Sequence, residues 1–199
     1  MQTWPREELE QAFRTYFMTG PVEEDWEAWS RLFTDDAVYF GDFWGTFRGP
    51  AEIQLFLEGT MSAGAHVYSV LTWYRVADDR VIYEVLNRAD HPTEGGAPID
   101  FPSLTVITYA GDGRWSSEHD WWVMRDMVRH RNEFLAACAE AGIDPEQQRR
   151  RLSRRDWGPS VDWARPKPGH EPSPSWLRTG ATPIAHVREM TFGERPPPA

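Results

Sequence analysis

The chain has one cysteine, Cys138, and one lysine, Lys167, among its 199 residues. A lone cysteine cannot close an internal disulfide, which excludes a cross-linked secreted scaffold and a four-cysteine zinc site. No stretch approaches the ~20 consecutive apolar residues that a membrane span requires. The opening MQTWPREELEQ is charged and has no apolar core, so no secretory signal and a cytoplasmic location are expected. Neither a G-x-G-x-x-G pattern nor a Walker loop occurs, and His91, His130, His170 and His186 show no ligand spacing. The expectation is therefore no nucleotide cofactor and no metal. The net charge of −10 argues against nucleic acid, whose phosphates need clustered Lys and Arg.

What the chain does have is tryptophan, eleven in all. Tryptophan has a large apolar surface and usually lines a core, a pocket or an interface. Charge and proline are unevenly spread. Residues 1–143 carry 11 Lys+Arg against 24 Asp+Glu, whereas 144–199 carry 10 against 7 and hold ten of the sixteen prolines. The break near Asp144-Pro145 predicts a domain over 1–143 and an Arg- and Pro-rich extension over 144–199. Five arginines at 149, 150, 151, 154 and 155 read as the positive end of a helix beside an acidic body. Beyond them stand Trp157, Trp163 and Trp176, and pure linkers do not carry three tryptophans. This tail is expected to dock in part, from Trp157 to Trp176, on its own body or a neighbouring subunit, leaving 194–199 loose.

Helical periodicity places Leu9, Ala12, Phe13, Tyr16 and Phe17 on one face of a first helix that Gly20-Pro21 ends. A second helix is predicted from about Glu23 to Phe33, and Pro50 opens a third. Short strands are predicted at 37–40 and 45–49. Longer ones follow at 67–77, 81–89, 104–109 and 115–123, with turns at Asp78-Asp79 and Gly111-Asp112-Gly113. A last helix runs from Met124 to Ala141. Helices first and then long hairpins give an α+β protein, with helices on one face of a curved, mostly antiparallel sheet.

Several motifs in this order resemble the SnoaL-like members of the NTF2-like superfamily. They are Leu32-Phe33, Asp35-Asp36-Ala37, Gly45-Thr46-Phe47-Arg48-Gly49, Pro50 with Ile53 and Phe56, and Gly111-Asp112-Gly113-Arg114. The resemblance covers about residues 6–128. It implies a cone-shaped (cystatin-like) barrel with a pocket between sheet and helices, often paired as a homodimer. It also implies a small apolar molecule as the partner. Members include polyketide cyclases, ketosteroid isomerases, dehydratases, limonene epoxide hydrolases and plain binding proteins, so the fold alone does not choose the chemistry.

Asp120 is the leading catalytic candidate. In cyclases of this type an acid on the last strand works as general acid/base, following a tryptophan; here Trp121 follows the acid instead. A carboxylate among tryptophans would be desolvated and its pKa raised. Glu118 shares its face by strand alternation, and His119 takes the other. Resemblance to dehydratases adds His66 as an acid/base. Resemblance to ketosteroid isomerases adds Tyr16 as an oxyanion donor, although its helical phase fits poorly. Asp42 falls one residue late for the isomerase base, where Gly41 stands, and Thr105 occupies the place of the second acid. Asn87 and Glu84 lie on opposite faces of one strand, so one of them points inward. Tyr39, Trp44 and Trp121 are expected to line an aromatic pocket. Each residue has a plainer alternative as core, cap or solvated surface. The expected function is cofactor-independent proton transfer on a small apolar carbonyl compound, in a cyclisation, isomerisation or dehydration. The alternatives are non-catalytic binding of a small ligand and a structural role carried by the tail.

Overall fold

A computed structural model of the chain describes residues 3–146 and 155–184. Helix α1 spans Arg6–Phe17 and buries Leu9, Ala12, Phe13, Tyr16 and Phe17, the face that the periodicity marks. It does not stop at Gly20-Pro21. A π-helical turn, Met18–Val22, carries Pro21 inside it before the short helix α2, Trp26–Ser30. Proline has no N–H to give, so the wider turn accommodates it where a regular α-turn would not. Gly20 is required by close approach, since a Cβ there would collide with the Trp29 indole. Asp25 caps α2 by accepting from the Ala28 N–H at 3.0 Å. Helix α3 spans Gly49–Ala63 with Pro50 in its first turn.

Six strands form one sheet in the order β2-β1-β6-β5-β4-β3. They are β1 Phe33–Gly41, β2 Gly45–Arg48, β3 Val67–Ala77, β4 Arg80–Ala89, β5 Ile99–Gly111 and β6 Arg114–Trp122. Every pair is antiparallel except β1 with β6, which is parallel. Strand β5 begins five residues before the pattern suggests, because Pro102 is tolerated within it. Pairing with β6 starts only at Ser103, so Pro102 has β4 on one side and no ladder to break on the other.

One face of the sheet holds Tyr39, Tyr83, Val85, Ile107 and Trp115 in the main core with α1, α2 and α3. Helix α4, Met124–Ala141, ends at Gly142 in the left-handed conformation (φ 64°) and packs against β5. There it forms a second, smaller core of Ala89, Ile99, Phe134, Ala137 and Cys138.

Residues 155–163 follow strand β3, the free edge of the sheet. Asp156 accepts from the Tyr68 hydroxyl, and the Val161 N–H donates to the Leu71 carbonyl at 3.0 Å. Trp163 then packs on Phe13, Phe17 and Tyr74. An unpaired edge is a template for aggregation, and this segment covers part of it. The segment is further held by the acidic turn before α2. Arg155 pairs with Glu24, His170 with Glu23, and Arg178 with Asp25. Helix α5 (Trp176–Thr179) lies against α3, where Ser175 and Thr179 both donate to the buried Glu58. Arg149, Arg150, Arg151, Arg154 and residues 194–199 lie outside the described residues.

Candidate active site

The carboxylates sit on β6, between β1 and β5. Side chains alternate along a strand, so Glu118 and Asp120 project to the same face. Glu118 is in register with Tyr39 on β1, and Asp120 with Thr105 on β5; Thr105 in turn faces Tyr83 on β4. Tyr16 enters from α1. Four strands and one helix therefore direct six polar side chains into one region of an otherwise aromatic core. Trp29, Phe33 and Trp115 surround Tyr16, and Phe47 and Phe56 pack on Tyr39.

The six groups form two hydrogen-bonded trios, Tyr83–Tyr16–Glu118 and Thr105–Asp120–Tyr39, which adjoin where Tyr83 faces Thr105. Tyr16 donates its hydroxyl proton to Glu118 Oε2 at 2.6 Å, and the hydroxyls of Tyr16 and Tyr83 are 2.9 Å apart. With the Tyr16 proton on Glu118, Tyr83 is left as the donor to Tyr16. Thr105 Oγ1 donates to Asp120 Oδ1 at 2.5 Å, and Tyr39 donates to Asp120 Oδ2. Tyr16, Tyr39, Tyr83, Thr105 and Glu118 are all buried, and Asp120 is the least buried of the six.

Burial sets the charge state. It pushes Glu118 well above the usual carboxylate range, and the neighbouring Asp120 charge pushes it further, against the stabilising Tyr16 bond. Asp120 is also raised by burial, but the Thr105 and Tyr39 hydroxyls pull it back. Tyr16, Tyr39 and Tyr83 are raised well above ordinary phenols, burial first and the two carboxylates second. The arrangement favours one proton on Glu118 and a charge on Asp120: two carboxyls of different character side by side.

The structure thus brings Asp120, Glu118, Tyr16, Tyr39 and Thr105 together. Tyr16 reaches the site despite its unpromising phase in the sequence. Trp44 is half-buried and stands near Phe56 and Trp122. Asn87 is the inward member of its pair and donates to Ser103 Oγ at 3.0 Å, on the Thr105 face of β5. Glu84 accepts from Thr72 instead.

Three candidates fall elsewhere. His66 stacks on Phe134 of α4, ring centroids 4.1 Å apart, beside His130. It stands eight residues along β3 from Tyr74, the β3 residue level with Tyr83, Thr105 and Asp120. That is roughly 26 Å of extended chain, and the imidazole does not join the carboxylates. Asp42 is exposed in the turn after β1, and only its N–H reaches the site strand, donating to the Asp120 carbonyl at 3.2 Å. Trp121 points outward, 40% exposed and stacked on His119. Alternation from Asp120 gives the inner position to Trp122, next to Trp44 and Phe101. Tyr83 went unnoticed in the sequence, although it alternates with Val81 and Val85 on the inner face of β4.

Among solved structures, the fold is similar to that of an LEH-like epoxide hydrolase of M. tuberculosis. That likeness has 18% identity and a TM-score of 0.51, and covers 68% of this chain and 98% of that one. It is also similar to a protein described as a SnoaL-like polyketide cyclase, from Shewanella putrefaciens CN-32. Here the identity is 19% and the TM-score 0.50, over 65% of this chain and 88% of that one. A third is TerC, co-crystallised with polyporic acid, at 14% identity and TM-score 0.50, over 62% of this chain and 97% of that one. At these identities the likeness is one of fold. No curated protein matches the sequence. The family model of the SnoaL-like domain matches residues 13–118, which take in the end of α1, α2, α3 and the strands up to Glu118. The chain belongs to the SnoaL-like domain family.

Proposed function

We propose that the protein is a cofactor-independent enzyme that moves a proton on a small apolar carbonyl compound, with Asp120 as the base. The observation that carries this reading is the carboxyl pair on one strand face among four hydroxyls, with Asp120 the least buried of the six groups. Desolvation raises the basicity of Asp120 toward the range useful near neutral pH. The reaction begins when Asp120 takes a proton from the carbon next to the carbonyl. The Tyr39 hydroxyl then turns from Asp120, now neutral, to the enolate oxygen, which needs a donor more than the protonated acid does. Glu118, kept protonated, spares the site a second negative charge, and Tyr16 and Tyr83 hold it in place. Return of the proton from Asp120 to the far carbon of a conjugated enolate completes an isomerisation; attack of the enolate on a second carbonyl of the same molecule, whose oxygen then takes the proton back from Asp120, completes a cyclisation.

The test is exchange of α-protons for deuterium, followed by proton NMR over a panel of cyclic and aromatic ketones. Asp120→Asn keeps the shape and removes the base, and a loss of at least 10²-fold is expected, the usual span of general-base catalysis. Exchange at wild-type rate in that variant would remove Asp120 from the mechanism. Rates should rise with pH through a value above that of an ordinary aspartate. A second reading, binding without turnover, is supported by one observation: both Asp120 oxygens already hold a hydroxyl donor. Saturable binding to a protein that exchanges no proton would select it. We further propose that the assembled form is a homodimer.

A further inference from the structure

Helix α4 buries a histidine that the proton-transfer site does not use. His130 is 2% exposed, and its Nε2 is buried with no hydrogen-bond partner among the described residues. The Ile99 carbonyl bonds the ring. A carbonyl only accepts, so the single N–H of the neutral imidazole is committed there and Nε2 is left with a free lone pair. Burial holds this histidine below its ordinary pKa, which keeps it neutral. A buried acceptor without a partner is uncommon.

The surroundings of His130 continue the face that carries the carboxyl site. Ile99, Phe101 and Ser103 project from β5 on the same side as Thr105, and Phe101 meets the His130 ring edge-on at 5.0 Å. Trp122 shares the Asp120 side of β6 and lies 6.4 Å from Phe101. An aromatic wall therefore runs from Asp120 along Trp122 and Phe101 to His130. Thr105 and Phe101 are four residues apart, so this wall is about 13 Å long. Nε2 is closed from solvent, and a ligand reaches it only as α4 lifts from β5. What holds α4 down is the small core of Ala89, Ile99, Phe134, Ala137 and Cys138, separate from the main one. Elements with few buried contacts open at low cost. His130 lies beyond residues 13–118, the part matched to the family.

We propose that His130 Nε2 is the far-end recognition group of the site: it accepts a hydrogen bond from a hydroxyl or N–H at the distal end of an elongated, flat aromatic ligand whose other end lies at Asp120. This rests on the proposed placement of the ligand at Asp120. It selects molecules of at least two linked rings with a donor at the far end over shorter ones or ones that lack that donor.

Binding of 4,4′-dihydroxystilbene and 4-hydroxystilbene to the full chain, measured by calorimetry, tests it without turnover. The wild type should prefer the dihydroxy compound about tenfold, the factor one hydrogen bond of 1.4 kcal/mol gives. His130→Phe should abolish that preference while leaving the affinity for 4-hydroxystilbene unchanged. His130→Gln, whose amide oxygen can sit near the Nε2 position, should keep it; thermal melts confirm that both variants fold. A preference that survives in His130→Phe overturns the proposal, as does a wild type without preference or without binding to either compound. Should the preference fail while Asp120→Asn still abolishes proton exchange, His130 loses its role and the Asp120 reading stands. Should the preference hold while no exchange occurs, the recognition stands and the catalytic reading falls.

Discussion

Glu118 shows how one residue's environment becomes a property of the whole protein. Its carboxyl holds a proton more tightly in the folded chain than in the unfolded one. The native state therefore binds more protons than the unfolded state, and stability must fall as pH rises from the unfolded value of about 4.3 through the raised native value. Glu118→Gln removes this titration and keeps an acceptor for Tyr16. The variant should match the wild type at pH 4 and melt higher at pH 7–8. Over the window between the two pKa values the gap should widen by up to about 1.4 kcal/mol per pH unit. Thermal melts across that range check it; parallel curves for the two proteins would mean that Glu118 is not protonated by burial.

At the scale of elements, the segment 155–184 is joined to the body by ion pairs as well as by tryptophans. Glu24 is 1% exposed and sits in the left-handed region at φ 58°, with the buried Arg155 guanidinium 2.8 Å from its Oε2. Burial raises the Glu24 pKa even with Arg155 beside it, so desolvation outweighs the attraction of the pair. Removing one partner of such a pair strands the other, which costs about 3–5 kcal/mol. Arg155→Ala should destabilise the protein by that order at pH 7, and by less at low pH where Glu24 is neutral. Adding Glu24→Gln should recover much of the loss, because no buried charge is left behind. Denaturant unfolding of the three proteins decides it. An Arg155→Ala variant as stable as the wild type would show that the segment contributes no stability through this pair. Such pairs were not legible in the chain: Glu24 and Arg155 are 131 residues apart, and nothing in either neighbourhood names the other. The tail's three tryptophans announced contact, but not with what.

For the molecule as a whole, the outer face of the sheet carries a row that the core does not use. Trp121, Leu104 and Trp73 are 40%, 37% and 43% exposed, and successive pairings place them across β6, β5 and β3 with Glu84 between. A row of large apolar side chains across a sheet fits a partner with the same face, as two-fold pairing provides. Light scattering at micromolar concentration should therefore give twice the 23.0 kDa chain mass, and Trp121→Glu together with Leu104→Glu should return it to one. A wild type of single-chain mass would end the dimer proposal. Among the described residues, no helix is long and apolar enough to cross a membrane.

Wherever a local period governs them, the residues that point into the protein are legible in the chain alone. The face of α1, the alternation that pairs Glu118 with Asp120, and the turns at Asp78-Asp79 and Gly111-Asp112-Gly113 are set by neighbours a few positions away, through sterics and repeat geometry. The same alternation, carried two residues further, points to Trp122 and away from Trp121, the residue expected to line the pocket. Which of the inward residues meet is a matter of long-range packing. Tyr16, Tyr39, Tyr83 and Thr105 come from four different elements, and their convergence on the carboxyls depends on strand register and on the seat of α1, which no local pattern encodes. His66 was misplaced for that reason: a histidine at the start of a long strand is the same in the sequence whichever end of the sheet it serves. Strand order and curvature put it with Phe134 and His130, at the end of the sheet that α4 covers.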